Sequence, residues 1–528
     1  MLFIQDGKFA HSNQSLLFEN LQLVLQAKEK MAIIGKNGVG KTTLLQIIAG
    51  HLSLSSGILQ LKTAAYYVPQ IAGQYNHMTV AAALRIESKW KALSAILNGK
   101  ITEKLYEQLD NDWQLEERCR EAFTYWGLQE LEFNQSVATL SGGQKARLFL
   151  AGLQVHQPAL VLLDEPSNHL DAAGRSLLYE YIQNSKVAML VVSHDRQLLN
   201  LMNATSELTA GGLIYYGGNY DFYESQKDVE LQARTAELNE KSKAVRKAKE
   251  TERLTKERQH KLNVRGKAQK EKSGLAKIMM NTLRNNAEKT SAKLKDVHAG
   301  KIIQLKDELK QIQLALPDPN QMRFDWKGSG LHAGKRLFEA IAINHQYQHK
   351  KLWERSIDLL INSGERWAIK GNNGTGKTTL LQFITGALEP AEGLVYRSDF
   401  NAVFIDQEYS IVNRKESVQE LARSFNQTGL VEHEINLRLH RFLFKKESWG
   451  TCCKDLSGGE RMRLLLCCFI IGQRAPDMII LDEPTNNLDL ENLEILTKAL
   501  EQYTGTLVVV SHDTRFLEEI SIDHEIIL

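Results

Sequence analysis

Proline is scarce in this 528-residue chain, eight in all, and none falls between Pro166 and Pro317. Glycine is likewise missing between Gly218 and Gly266. A stretch without either residue has nothing local to stop a helix. It also lacks the Gly, Ser or Pro richness of a flexible tether. Long apolar runs are absent too. No segment approaches the roughly 18 uninterrupted apolar residues of a membrane-crossing helix, and the longest runs, Leu160 to Leu163 and Val187 to Val192, suit buried strands. The first ten residues, MLFIQDGKFA, carry Asp6 and no basic segment leading into an apolar one. No signal peptide is therefore expected, and a cytoplasmic location follows. The five cysteines comprise lone Cys119 and the adjacent pairs Cys452-Cys453 and Cys467-Cys468. That spacing suits neither a zinc site nor a disulfide framework, so all five read as reduced packing residues.

Net charge is small, +2, but it is unevenly spread. Residues 241–300 hold 18 Lys/Arg against 6 Asp/Glu, a local +12, which leaves −10 for the remainder. One segment is thus suited to a polyanion and its flanks are not.

The chain repeats itself. GKNGVGKTTLLQIIAG at 35–50 returns as GNNGTGKTTLLQFITG at 371–386, and LSGGQKARLFL at 140–150 as LSGGERMRLLL at 456–466. LLDEPSNHLD at 162–171 returns as ILDEPTNNLD at 480–489, and VVSHDRQLL at 191–199 as VVSHDTRFL at 509–517. The offset falls from 336 residues at Lys41 and Lys377 to 318 at Glu165 and Glu483, so the first copy carries about 20 extra residues between Gln70 and Leu140. Two copies of one domain, 1–222 and 320–528, enclose a segment 223–319. In each copy a strand (Lys30 to Ile34; Arg366 to Lys370) enters a glycine-rich loop and a helix. Further apolar strands end at the DEP and SHD motifs, giving an α/β core with a buried, largely parallel sheet.

Residues 224–264 are rich in Ala, Glu, Lys, Gln and Arg. As one helix they would span about 60 Å. Gly266 and Gly274 are expected to break the pattern, a second helix to run from about 275 to 313, and Pro317 and Pro319 to end it. The expected product is an antiparallel helical hairpin.

The loops Gly35-Lys36-Asn37-Gly38-Val39-Gly40-Lys41-Thr42 and Gly371-Asn372-Asn373-Gly374-Thr375-Gly376-Lys377-Thr378, followed by Thr43 and Thr379, fit a phosphate cradle. Their glycines let backbone N–H groups converge on phosphates at a helix N-terminus. Lys41 and Lys377 neutralise phosphate oxygens, and Thr42 and Thr378 place hydroxyls on Mg²⁺. Asp164 and Asp482 close apolar strands, where a carboxylate reaches the magnesium shell. Glu165 and Glu483 follow immediately and are the general-base candidates for an attacking water.

LSGGQ at 140–144 and LSGGE at 456–460 resemble the signature motif of ATP-binding cassette (ABC) proteins, and the resemblance covers both copies. The fold class it implies is α/β: two P-loop NTPase ABC cassettes joined by the helical hairpin. It further implies ATPase activity with ATP and Mg²⁺. Gln70 and Gln407 become glutamines that sense the magnesium and the lytic water. Asp171 and Asp489 become D-loop residues, and His194 and His512 γ-phosphate histidines. Ser141 and Gly143 would complete the site of Lys377, and Ser457 and Gly459 that of Lys41. ATP would bridge the cassettes and hydrolysis release them, so no second chain is required. The family also stacks adenine on an aromatic ahead of the loop. Tyr347 fits, five residues before Leu352-Trp353-Glu354, whereas the equivalent place before Leu17-Phe18-Glu19 is Ser12, next to His11. The first site then either holds adenine less well or uses Phe9.

Tandem cassettes, no membrane span and a basic hairpin together resemble the ABC-F family over nearly the whole chain. In its translation factors the hairpin enters the tRNA exit site of the ribosome. By that resemblance the partners are rRNA and tRNA. Arg265, Lys267, Lys270, Lys272, Lys277 and Arg284 would meet phosphates. Ile278, Met279, Met280 and Leu283 form either the seam between the helices or a surface packed on RNA. The tip has no Phe, Tyr or Trp to stack on bases. Two other readings stand beside this one. A DNA-associated ATPase is the first, though relatives of that kind carry a coiled-coil C-terminal extension and this chain stops at Leu528, about 16 residues after His512. The motor of a membrane transporter is the second, against which the basic projection argues. Many ABC-F translation factors also carry an arm in the first cassette that touches the ribosomal L1 stalk. The extra residues here allow only a short arm or none.

Overall fold

The computed structural model describes residues 1–11, 15–70, 73–270, 299–310, 322, 324, 330–347, 350–412, 414–427, 429–472, 475–486 and 488–528. They form two compact units, one of Met1–Tyr223 with Met322–Leu528 and one of Glu224–Gln321.

The first unit contains both cassettes. In the first cassette, the strands Ala65–Val68, Leu160–Asp164, Ala188–Val192, Lys30–Ile34 and Ala204–Thr209 lie side by side in parallel, and Gly212–Gly217 closes the edge antiparallel. The second cassette repeats the order with Ala402–Ile405, Met478–Asp482, Thr506–Val510, Arg366–Lys370 and His524–Ile527, all parallel. Leu160–Asp164 and Ala188–Val192 are buried along their whole length, as strands covered on both faces must be. A three-stranded antiparallel sheet accompanies each: Leu16–Leu25, Leu2–Ala10 and Ser56–Leu61 in the first, Ile357–Asn362, Arg336–Asn344 and Glu392–Arg397 in the second.

The helix after each glycine-rich loop is clamped by these sheets. Leu44, Leu45, Ile47 and Ile48 share a core with Ile4 and Phe18 of the antiparallel sheet and with Met31 and Leu162 of the parallel one. Each such side chain contributes roughly 1.5–3 kcal/mol when fully buried. Register then sets the site. Asp164 pairs with Val192, and Asp482 with Val510, so Glu165 and His194, like Glu483 and His512, leave the same edge of the sheet together. That carboxyl edge is where open α/β sheets take ligands.

The extra residues of the first copy form the helices Glu87–Leu97 and Glu103–Leu109. The second copy passes from its helix Val418–Ser424 to Glu432–Arg441 without them. Ala92, Leu93 and Leu109 belong to the cassette core, and Trp90 lies on Phe133 with ring centroids 4.0 Å apart. All five cysteines are free, and Cys119, Cys453, Cys467 and Cys468 are buried.

The other unit holds all but the first four residues of one helix, Tyr220–Lys270, 51 residues. The helix passes through Gly266, where a break was expected. A single glycine costs a helix about 1 kcal/mol, too little to end one with good formers on both sides. Residues 299–310 are helical as well. Lys241 Nζ lies 2.6 Å from Glu308 Oε2, which ties the two helical segments together. The expected tip (Lys272, Lys277, Ile278, Met279, Met280, Leu283, Arg284), Gly274 and the prolines at 317 and 319 lie outside the described residues. Among those described, no helix is long and apolar enough to cross a membrane.

Candidate functional site

Two cavities open at the sheet edges, of about 360 Å³ and 590 Å³. Both lie within the range of small-molecule sites. Asn37, Gly38, Gly40, Lys41, Thr42 and Thr43 line the first, with Gln70, Asp164, Glu165 and His194. Asn373, Gly374, Gly376, Lys377, Thr378 and Thr379 line the second, with Gln407, Asp482 and Glu483. Residues scattered from Asn37 to His194 in the first copy and from Asn373 to Glu483 in the second thus meet in one place.

The loops curl because their glycines adopt backbone that other residues avoid. Gly40 has φ 105° and Gly376 φ 92°. A Cβ at Gly40 would stand 2.5 Å from Leu17 Cδ2, and one at Gly376 2.6 Å from Leu352 Cδ2. Lys41 Nζ donates to the Gly35 and Lys36 carbonyls at 2.6 and 3.2 Å, and Lys377 Nζ to those of Gly371 and Asn372 at 2.6 and 3.1 Å. Burial lowers the pKa of both lysines. Thr42 Oγ1 donates to Asp164 Oδ1 at 3.1 Å, and Thr378 Oγ1 to Asp482 Oδ2 at 3.0 Å. A hydroxyl beside a carboxylate is a hard-oxygen pair suited to Mg²⁺.

Glu165 and Glu483 both have φ 49°, a strained value for a side-chain-bearing residue. Such strain clusters at functional positions. Burial pushes Glu165 up to about 8 and Glu483 up to about 7, and holds His194 down to about 3 and His512 to about 4. The imidazoles are therefore neutral, so their approaches to the carboxyls (3.3 Å at His194, 3.2 Å at His512) are not ion pairs. Oε2 of Glu483 is buried without a hydrogen-bond partner among the described residues, whereas Oε1 of Glu165, also without one, faces His194 Nε2 at 3.3 Å.

The cassettes meet at these sites. The Asn37 N–H donates to Asp489 Oδ2 at 3.0 Å, and Lys36 Nζ lies 2.7 Å from Glu491. Reciprocally, Asn373 Nδ2 donates to the His169 carbonyl at 3.2 Å. Gly143 borders the same seam, where an added Cβ would lie 3.5 Å from Asn373 Nδ2. Ser141 caps the helix Gly142–His156 with its Oγ and Gln144. Ser457 bonds Glu460 in the same way. A Cβ at Gly459 would collide with Asn492, three residues after Asp489. The first P-loop therefore meets the segment on which Gly459 packs.

Tyr347 lines the second cavity, half exposed, its hydroxyl 3.4 Å from Thr379 Oγ1. His11 lines the first cavity, with Phe9 edge-on to it at 5.6 Å between ring centroids; Ser12 lies outside the described residues. Sequence reasoning missed Tyr67, whose hydroxyl donates to Asp164 Oδ2 at 3.0 Å. The repeat offers the only hint, since the second copy has Phe404 at that strand position. It also missed Arg196, 4% exposed in the first cassette, which grips Glu519 of the second at 2.7 and 2.8 Å.

A family model described as ABC transporter matches residues 18–168 and 355–486. The ATP-binding protein YdiF of Bacillus subtilis (strain 168) is 29% identical over 547 residues, covering 99% of this chain and 79% of the relative. ABC transporter F family member 5 of Arabidopsis thaliana is 26% identical, covering 93% and 70%. The crystal structure of archaeal ribosome recycling factor aABCE1 in complex with the archaeal ribosomal stalk protein aP1 superposes with a TM-score of 0.61 at 18% identity. It covers 99% of this chain and 87% of its own, a likeness of fold.

Proposed function

Because the chain belongs to the ATP-binding cassette family, as a tandem-cassette ATPase of the ABC-F type, we propose that it is a cytoplasmic ribosome-binding switch whose segment 223–319 joins cassettes at 1–222 and 320–528 and meets rRNA or tRNA. The observation that carries this reading is the +12 of residues 241–300 in a chain of +2 overall. A local field of that size attracts polyanions. Lys247, Lys249, Arg253, Lys256, Arg258, Lys261 and Arg265 are all exposed along the Tyr220–Lys270 helix.

In the proposed cycle the loop N–H groups with Lys41 or Lys377 bind the phosphates of ATP. Thr42, Asp164 and Gln70 hold Mg²⁺ at the first site and Thr378, Asp482 and Gln407 at the second. When bound, the ion offsets phosphate charge. In their ionised form Glu165 and Glu483 accept the proton of the attacking water. His194 and His512, neutral and adjacent, orient the γ-phosphate. Ser141 and Gly143 close the second site from across the seam, and Ser457 and Gly459 the first. Tyr347 stacks on adenine at the second site. The contacts Asn37–Asp489 and Asn373–His169 support this trans arrangement. With phosphate shared between cassettes, binding closes them and hydrolysis lets them part.

The test uses the Glu165→Gln, Glu483→Gln double variant, which should bind ATP and stay closed. It is sedimented with ribosomes at physiological salt with ATP or ADP. Co-sedimentation with ATP alone is expected. Retention on duplex or branched DNA, with none on ribosomes, would replace the ribosomal reading with a DNA-directed one.

A further inference from the structure

Asn492 has no counterpart in the first cassette. Each D-loop aspartate caps the helix that follows it, Asp171 accepting from the Gly174 N–H and Asp489 from the Asn492 N–H. The two positions are equivalent in the repeat, yet one has no side chain and the other carries an amide. The signature helices, Gly142–His156 and Gly458–Gly472, each bring an arginine to this point. Arg147 bonds Asp171 directly through Nη2. Arg463 instead donates from Nη1 to Asn492 Oδ1 at 2.8 Å, and Asn492 Nδ2 donates to Asp489 Oδ1 at 2.6 Å. Asn492 is 5% exposed and lies against the signature segment, where a Cβ added at Gly459 would stand 2.2 Å from its Nδ2. The other oxygen of Asp489, Oδ2, accepts the Asn37 N–H of the first P-loop at 3.0 Å. A continuous chain of bonds therefore runs from the signature helix of the second cassette, through Asn492, to the glycine-rich loop of the first ATP site.

We propose that Asn492 is a positioning residue supplied in trans to the first ATP site, fixing the signature segment and D-loop of the second cassette in one geometry against the first P-loop. The second site takes the same two elements from the first cassette, held by the Arg147–Asp171 pair, and does not use Asn492. The difference is chemical. An amide accepts and donates at once, so it meets the arginine with one end and Asp489 with the other, leaving Oδ2 for the P-loop. In cleavage at the first site the water oxygen bonds to the γ-phosphorus and the bond to the β–γ bridging oxygen breaks. The electron pair leaves on ADP, and the water proton passes to Glu165. Asn492 touches none of these atoms. It holds Ser457, Gly459 and Asp489 where the closed site needs them, and small misplacements of such groups are costly. The inference rests on the reading that these three residues complete the first site, and it does not depend on what the protein binds.

The full-length Glu483→Gln variant confines cleavage to the first site, and Glu165→Gln confines it to the second. Single-turnover cleavage of bound ATP, stopped with acid, reads the chemistry even where the cassettes then stay closed. In the Glu483→Gln background, Asn492→Ala is expected to slow cleavage about tenfold while the half-saturating ATP concentration moves by less than about threefold. Asn492→Asp keeps the shape and the acceptor for Arg463 but removes the donor to Asp489, and should slow cleavage as much. In the Glu165→Gln background both losses should be smaller by at least about fivefold, although Asn492 belongs to the cassette that carries the second P-loop. Damage to the fold of that cassette would strike the second site at least as hard. Equal losses in the two backgrounds would therefore make Asn492 a structural prop and overturn the proposal, as would native cleavage at the first site with Asn492→Asp. Asp489→Ala separates the two readings. If it slows the first site and Asn492→Ala does not, only the role of Asn492 falls; if neither slows it, the trans arrangement falls as well.

Discussion

Glu165 and Glu483 combine backbone strain and a buried carboxyl at one position. Each carboxyl keeps its proton more tightly in the folded protein than in the unfolded chain. The stability it contributes is complete below the usual carboxylate range and is lost as pH rises through about 7 at Glu483 and about 8 at Glu165. His194 and His512 act in the opposite sense, losing stability as pH falls below the usual imidazole range. The double Gln variant, free of nucleotide, should therefore melt progressively higher than the native chain as pH is raised from about 6 to about 9. Differential scanning fluorimetry across that range checks it, and a constant difference would mean the two carboxyls are not buried protonated. At Gly40 two penalties coincide: left-handed backbone, and a Cβ 2.5 Å from Leu17. Gly40→Ala should cost roughly 2–4 kcal/mol and weaken nucleotide binding at the first cassette, as judged by urea unfolding and by titration with a fluorescent ATP analogue.

Helices near the seam carry a contact between cassettes that is independent of the phosphate loops. Arg196, at the start of the helix Arg196–Asn200, pairs with Glu519 at the end of Thr514–Glu519. Arg515 reaches both Glu519 at 3.1 Å and Asp221 at 3.3 Å. The partners are unequal: the Arg196 side chain is 5% exposed and that of Glu519 32%. Glu519→Ala strands a buried guanidinium whose Nε already lacks a partner among the described residues. It should cost about 3 kcal/mol. Arg196→Met leaves Glu519 partly solvated and still beside Arg515, so it should cost only about 1 kcal/mol. The first urea transition of the nucleotide-free protein measures both, and the reverse order would mean the pair is solvated.

At the scale of the molecule, charge separation dominates. Cassettes that sum to a negative value are joined by a segment of strong positive charge, so association with a nucleic acid should be steered and salt-sensitive. Binding of the ATP-locked double variant to ribosomes should weaken with a slope of log affinity against log salt of about −4 to −8. Changing Lys247, Lys249, Lys261 and Arg265 to Gln should flatten that slope by about 3. Filter binding over a potassium chloride series gives the comparison, and an unchanged slope would take these four residues out of the interface.

Much of this was legible in the chain itself, because the chemistry is local in sequence. The loops 35–42 and 371–378 and the carboxylates at strand ends are each dictated by neighbours a few residues away, and the duplication made each reading twice. The helical character of 224–264 was legible too, since propensity sums along a run. Where the helix ended was not: Gly266 weakens the helix without breaking it. Nor did sequence reveal whether the 20 extra residues project or pack. That depended on Trp90 finding Phe133 and Leu93 entering the core. Sequence alone thus determined the two glycine-rich loops, the carboxylates at the strand ends and the basic segment. Tertiary structure alone decided which side chains of one cassette face the other: Asp489 at Asn37 and Arg196 at Glu519. Those partners lie hundreds of residues apart, and only the packing of one folded surface against another brings their charges within range.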